Sequence, residues 1–200
     1  MKKYKQLMGS GCLALLSGCQ VGSASIIGEV NTYVESSNEC HQAHEQIESL
    51  LIQEQGLYDT LVQNGVDSSV FKVSEAFEIM QPLTETVTSY QVCIETLQPE
   101  LEKLTTLEEA DTLTEVEQGV MEQLTQYHNS TQTLLSKLSE VVQTQYQFYE
   151  AFEANAEIKT LESQIQTINT QRNELNELRL TQDEQLTHFN EAYDELGTND

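Results

Sequence analysis

The feature that most constrains the fold is a spacing of three and four between apolar residues, sustained through four long segments. The segments run from about Val30 to Gln63, Ser69 to Leu104, Glu108 to Phe152 and Ile158 to Leu196. This spacing places one apolar stripe along a helix and is typical of the seams of helical bundles. No strand-like alternation of apolar and polar residues competes with it. The pattern therefore predicts an all-α protein.

The arrangement of these helices follows from the short connections between them. Long helices joined by short loops pack as antiparallel neighbours. The sequence therefore predicts an elongated four-helix up-and-down bundle over residues 29–200, with antiparallel packing and coiled-coil-like seams. The alternative is a pair of helical hairpins that splay apart or dimerise, because such seams do not fix the oligomeric state.

Turn residues and prolines mark the expected interruptions. Asn64–Ser69 separates the first two segments, with Gly65 as the C-cap of the first helix. Pro82 and Pro99 lie inside the second segment, and each removes a backbone hydrogen bond, so a kink or break is expected at both. A weaker turn signal at residues 153–156 separates the last two segments.

The N-terminus has the composition of an export signal. Three lysines precede a short apolar core, Leu7–Leu16, which is too short to span a bilayer. The ending Leu16–Cys19 is similar to a bacterial lipobox, which implies removal of residues 1–18 and a diacylglyceryl thioether, with fatty acids such as palmitate, on the Cys19 sulfur. Residues 19–28 would then tether the protein to the extracytoplasmic face of the cell membrane. The alternative is an ordinary signal peptide with an incidental cysteine.

The charge of the chain restricts its partners. Its 33 acidic and 9 basic residues give a formal net charge of −24. This charge disfavours direct binding of nucleic acid, anionic lipid headgroups or the phosphates of wall polymers. The predicted partners are the lipid bilayer, through Cys19, and cell-wall components or another surface protein.

Cys40 and Cys93 lie at equal distances from the centre of the Asn64–Ser69 turn. In an antiparallel hairpin they would lie at the same height, and export places them in an oxidising compartment, so a disulfide is predicted. Two buried free thiols are one alternative. Another is a zinc or copper site formed by Cys40, His44 and Cys93, since Cys40 and His44 share a helix face. That site would make the chain a metal-binding or metal-sensing lipoprotein.

No catalytic constellation is evident in the sequence. It contains no G-x-S-x-G nucleophile elbow and no glycine-rich phosphate loop, and no carboxylate pair stands out among its many acidic residues. We therefore expect no enzymatic activity and no cofactor.

An aromatic cluster near the end of the third segment is the best candidate for a contact surface. It contains Tyr146, Phe148, Tyr149 and Phe152, and the two tyrosines are the residues expected to contact a partner. Packing in the core is the competing interpretation. Arg172 lies on the seam of the fourth segment and is expected at its edge, with its charged head in water.

Three stretches carry a resemblance to a known family: Tyr146–Glu150, Leu161–Asn169 and Phe189–Tyr193. They resemble the tyrosine-rich helix end, the Leu-x-x-x-Ile-x-x-Ile-Asn stretch and the Phe-Asn…Tyr stretch of YkyA-type cell-wall binding lipoproteins of Gram-positive bacteria. The resemblance implies a four-helical up-and-down bundle on the outer face of the membrane, with no known catalytic activity and no established binding residues. The chain departs from the family in having Gln and Thr where Lys is expected, and in its Cys40/Cys93 pair.

Overall fold

A computed structural model describes residues 24–65, 71–110 and 113–198, and about 92% of these residues are helical, with no strand among them. They form six helices: α1 (Ala24–Glu39), α2 (His41–Gln63), α3 (Val73–Glu95), α4 (Gln98–Ala110), α5 (Glu115–Glu153) and α6 (Ile158–Thr198). The all-α prediction is confirmed. Within the described ranges, no helix is long and apolar enough to cross a membrane.

The N-terminal predictions fall largely outside these ranges. The signal segment and Cys19 lie outside the described residues. Helix α1 begins at Ala24. The last five residues of the predicted tether, 24–28, belong to this helix.

The number of helices differs from the prediction, because the first and second segments each divide in two. Cys40 separates α1 from α2, and its N–H donates to the Ser37 carbonyl at 3.0 Å in a tight turn. Thr96 and Leu97 separate α3 from α4. The four long segments of the prediction thus form six helices in the described part of the chain, and one of the two additional breaks lies next to Pro99, where an interruption was expected.

The two prolines behave differently. Pro82 lies inside α3 without ending it. Met80, Leu83 and Val87 around it are buried, and each buried side chain of this size contributes about 1.5–3 kcal/mol. Together they outweigh the cost of about 3 kcal/mol for an interior proline, so the predicted break is absent. Pro99 is the second residue of α4, where its missing N–H would have no helical partner, and the chain does break just before it.

Three helix ends are defined by local chemistry. Gly65 caps α2 with a φ of 67°, as predicted. Helix α5 begins with an unanticipated capping box, in which the Glu117 N–H donates to Thr114 Oγ1 at 3.3 Å and the Thr114 N–H donates to Glu117 Oε2 at 2.8 Å. The predicted turn before α6 is confirmed, with Asn155 at a φ of 55°.

The described residues divide into two compact units. Unit 1 comprises residues 24–41, 92–134 and 178–198, and unit 2 comprises residues 42–91 and 135–177, apart from the undescribed residues within these ranges. Helices α5 and α6 supply residues to both units.

Contacts within each unit give the relative directions of several helices. In unit 2, Phe77 packs against Tyr146, while Gln91 donates to the Leu135 carbonyl, so α3 and α5 run antiparallel. In the same unit Lys137 pairs with Glu174 and Glu140 bonds Gln171, so α5 and α6 are antiparallel.

The same two helices are antiparallel in unit 1. There Thr131 contacts Gln182 and Tyr127 stacks on Phe189. Helix α1 packs on α4 in this unit.

Candidate functional site

The predicted aromatic contact surface lies mostly in the core of unit 2. Tyr149 and Phe148 are completely buried, and Phe152 is nearly so. Tyr149 stacks on Phe71 with ring centroids 6.0 Å apart. The prediction that Tyr149 contacts a partner is therefore wrong, because its helix face points into the core. Tyr146 is half-buried, with its ring 5.3 Å from that of Phe77.

Tyr146 lines a groove between α3 and α5 in unit 2, with a volume of about 560 Å³. This volume lies within the range of about 300–1,000 Å³ that is typical of small-ligand sites. Two buried valines, Val87 and Val142, belong to its lining. Its remaining lining residues are Gln81, Thr84, Glu85, Ser139, Gln143, Gln147 and Glu150. The groove thus combines an apolar base with neutral polar groups and two carboxylates, and no lysine or arginine lines it.

A second feature of unit 2 is a buried ion pair that sequence reasoning missed. Glu54 in α2 is 1% exposed. Its Oε1 accepts from the Tyr149 hydroxyl at 3.0 Å, and its Oε2 accepts from Gln145 Nε2 at 3.0 Å and from Arg172 Nη2 at 2.5 Å. The Arg172 guanidinium also lies 4.2 Å from the centre of the Tyr58 ring. The expectation that Arg172 holds its head in water is therefore wrong.

Burial changes the pKa of Glu54 and of two tyrosines beside it. Burial raises the pKa of Glu54, while the Arg172 guanidinium and the hydrogen bonds from Tyr149 and Gln145 oppose this rise. Burial also raises the pKa of Tyr58 to about 12 and raises the pKa of Tyr149. Both phenols consequently stay protonated near neutral pH, and Tyr149 can act as a hydrogen-bond donor to the carboxylate.

The geometry of this cluster is that of a structural element. Both carboxylate oxygens of Glu54 are already hydrogen-bonded to protein groups. Such a network discriminates against helix registers that would leave the charges unpaired. The sequence did hold a signal for it, because Glu54 lies seven residues after Ile47 and four before Tyr58, on the apolar seam of its helix.

The predicted cysteine pair lies in unit 1. The Cα atoms of Cys40 and Cys93 are 5.8 Å apart, and their sulfur atoms are joined in a disulfide. His44 Nδ1 lies 3.3 Å from the Tyr90 hydroxyl. Two bonded sulfurs are not available as thiolate ligands, and no three His, Cys, Asp or Glu side chains in the described ranges are grouped to hold a metal ion. The alternative of a Cys40–His44–Cys93 metal site thus gains no support.

Unit 1 also buries a histidine. His128 is completely buried, and its Nδ1 lies 2.8 Å from the Tyr33 hydroxyl. Burial lowers the pKa of His128, so the ring is neutral at neutral pH. No hydrogen-bond partner for its Nε2 is found among the described residues. No local sequence signal connects Tyr33 with a histidine 95 residues away.

These features define an all-α protein that buries polar pairs and has, in unit 2, a groove of a size typical of ligand-binding sites. The chain belongs to the YkyA family: the model of that family, described as "putative cell-wall binding lipoprotein", matches residues 23–198. No curated protein and no solved structure matches the chain. The family resemblance found in the sequence is thereby confirmed.

Proposed function

We propose that this chain is a lipid-anchored surface protein with a non-catalytic binding or structural role at the interface of membrane and cell wall. The observation that carries the proposal is the family match over residues 23–198. The family description names binding rather than a reaction. A lipoprotein that binds the cell wall must lie on the outer face of the membrane, which gives the proposed extracytoplasmic location.

For the fold, we propose that each unit is an up-and-down arrangement of four helical pieces. Unit 1 draws on α1, α4, α5 and α6, and unit 2 on α2, α3, α5 and α6. The antiparallel contacts of α5 with α6 in both units, and of α3 with α5 in unit 2, support this arrangement.

The anchor is Cys19, at the end of the lipobox-like sequence Leu16–Cys19. Two acyl chains give stable membrane retention where one gives marginal binding. We expect Cys19→Ser to shift the full-length protein from the membrane fraction to the medium, or to leave it uncleaved. Cys12→Ser, a matched change inside the export signal, should leave fractionation unaltered. A correctly cleaved Cys19→Ser protein that stays on the membrane would contradict the anchor.

Wall binding is tested by sedimentation. The full-length protein, extracted in mild detergent, is mixed with purified wall fragments before and after removal of their anionic polymers. A chain of net charge −24 gains no attraction from anionic polymers, so retention should be equal or greater after their removal. Retention no greater than that of an unrelated acidic lipoprotein would refute the proposed function.

A further inference from the structure

We propose that the groove between α3 and α5 in unit 2 binds an uncharged glycan of N-acetylated amino sugars. The inference rests on the proposed function and names the class of wall component that this site recognises. It is argued from the apolar surface of the groove, its neutral polar groups and its charge.

The apolar surface of the groove suits the face of a sugar ring. Tyr146 presents a half-buried aromatic ring to the groove, while Val87 and Val142 are each only 1% exposed and lie behind the surface that a ligand would touch. That ring packs at a tilt of 55° against Phe77, which restricts its movement. Aromatic and aliphatic side chains bury the C–H face of a pyranose, while its hydroxyls project toward polar neighbours.

The polar lining suits acetamido and hydroxyl groups, which both donate and accept hydrogen bonds. Gln143 and Gln147 each offer an amide with two donors and an acceptor, whereas one donor of Gln81 is already used by Glu85; all three glutamines are exposed. Ser139 adds a half-buried hydroxyl on the α5 side. Six of the lining residues carry neutral polar groups and only two carry charges.

The charges of the lining exclude one class of wall polymer. Glu85 and Glu150 are the two charged residues of the groove, and both are acidic. A phosphate-rich polymer would meet repulsion here, in a chain whose net charge is already −24.

An amine-bearing peptide is the competing ligand for two carboxylates. Glu85 Oε1 already accepts a hydrogen bond from Gln81 Nε2 at 3.2 Å. An ammonium group accepts no hydrogen bond, so only the carbonyl groups of such a peptide could meet the glutamine donors. A neutral glycan can form hydrogen bonds with more of the polar residues in the lining, and it is therefore the ligand that the groove favours.

The experiment titrates chitotetraose, a tetramer of N-acetylglucosamine, into the full-length protein in mild detergent and follows binding by calorimetry. The test variant is Gln143→Ala with Gln147→Ala, both exposed on α5. The matched control is Gln53→Ala with Gln166→Ala, two exposed glutamines of the same unit that do not line the groove. Loss of two amide contacts should weaken glycan binding about tenfold in the test variant, and the control should bind like the parent protein. Circular dichroism should show equal helicity in all three proteins.

Several outcomes would overturn the inference. Chitotetraose that fails to bind, or that binds both variants equally, removes the groove as a glycan site. Binding of tetralysine in place of chitotetraose, weakened by the test variant, would assign the groove to amine-bearing peptides and overturn it as well. If wall fragments still retain the protein in these cases, the proposed function survives and only the ligand class fails. If chitotetraose binds at the groove but wall fragments do not retain the protein, the groove is a glycan site and the proposed wall-binding function fails.

Discussion

The two units each bury a different kind of polar pair. Unit 2 encloses a charged pair, Glu54 and Arg172, with hydrogen bonds from Tyr149 and Gln145. Unit 1 pairs neutral groups, including His128 with Tyr33. It also contains the disulfide.

The comparison separates two sources of specificity. A buried charge is expensive to leave unpaired, so the Glu54–Arg172 pair stabilises one register against others more than it stabilises the folded state itself. A neutral hydrogen bond contributes about 0.5–1.5 kcal/mol to the stability of the folded state. A disulfide stabilises the fold mainly by reducing the conformational entropy of the unfolded chain. Unit 2 should therefore be the more sensitive to a single polar substitution, and unit 1 to reduction.

The largest effect should come from Arg172→Met. It leaves the Glu54 carboxylate buried without its cation, and breaking a buried pair in this way costs about 3–5 kcal/mol. The free energy of unfolding from urea titration at neutral pH measures the loss. Because the variant raises the pKa of Glu54 further, the deficit should shrink as the pH falls and the carboxylate takes up a proton.

A matched double variant sharpens this test. Glu54→Leu with Arg172→Met removes both charges and should recover most of the lost stability, since apolar replacement of a buried pair is often neutral or stabilising. A double variant as unstable as Arg172→Met would contradict the view that the unpaired charge causes the loss.

The next effect concerns unit 1. Replacing Cys40 and Cys93 together by serine opens a loop that spans 53 positions of the chain. The free energy of unfolding should fall by about 2–4 kcal/mol, because the unfolded chain is no longer constrained. Hydrogen exchange should rise first in α1 and in the C-terminal end of α3. Two free thiols in unreduced protein isolated from the cell surface would show that the bond is absent in the cell.

The smallest effect is a pH dependence of unit 1. Burial lowers the pKa of His128 in the folded protein, whereas the unfolded ring titrates near 6.5. Below pH 6.5 the unfolded chain then binds more protons than the folded protein. The contribution of this ring to the free energy of unfolding is therefore fully present above pH 6.5. It decreases below that pH by up to about 1.4 kcal/mol per pH unit, until the pKa of the folded state is passed.

Two variants separate the pH dependence caused by His128 from that caused by the many carboxylates of the chain. His128→Gln should remove the difference in unfolding free energy between pH 7 and pH 5.5 that the parent protein owes to this ring. His188→Gln, at an exposed histidine of the same unit, should leave the difference unchanged. Identical pH profiles for the parent and His128→Gln would contradict the assignment.

Local patterns in the sequence predicted much of the fold. The apolar spacing predicted helices throughout, Gly65 predicted the end of α2, and the signal at residues 153–156 predicted the turn before α6. These features depend on residues within one or two helical turns of each other. The equal distance of Cys40 and Cys93 from one turn likewise anticipated their 5.8 Å Cα separation.

The sequence by itself thus determined the helical class, the main turns and the family. Only the tertiary structure decided that α3 continues through Pro82, that Tyr149 belongs to the core while Tyr146 lines the groove, and that Arg172 meets Glu54 118 positions away. The physical reason is that hydrophobic spacing specifies which face of a helix is buried but not its partner. Burial then offsets a missing backbone bond, and the cost of an unpaired charge selects one partner among many.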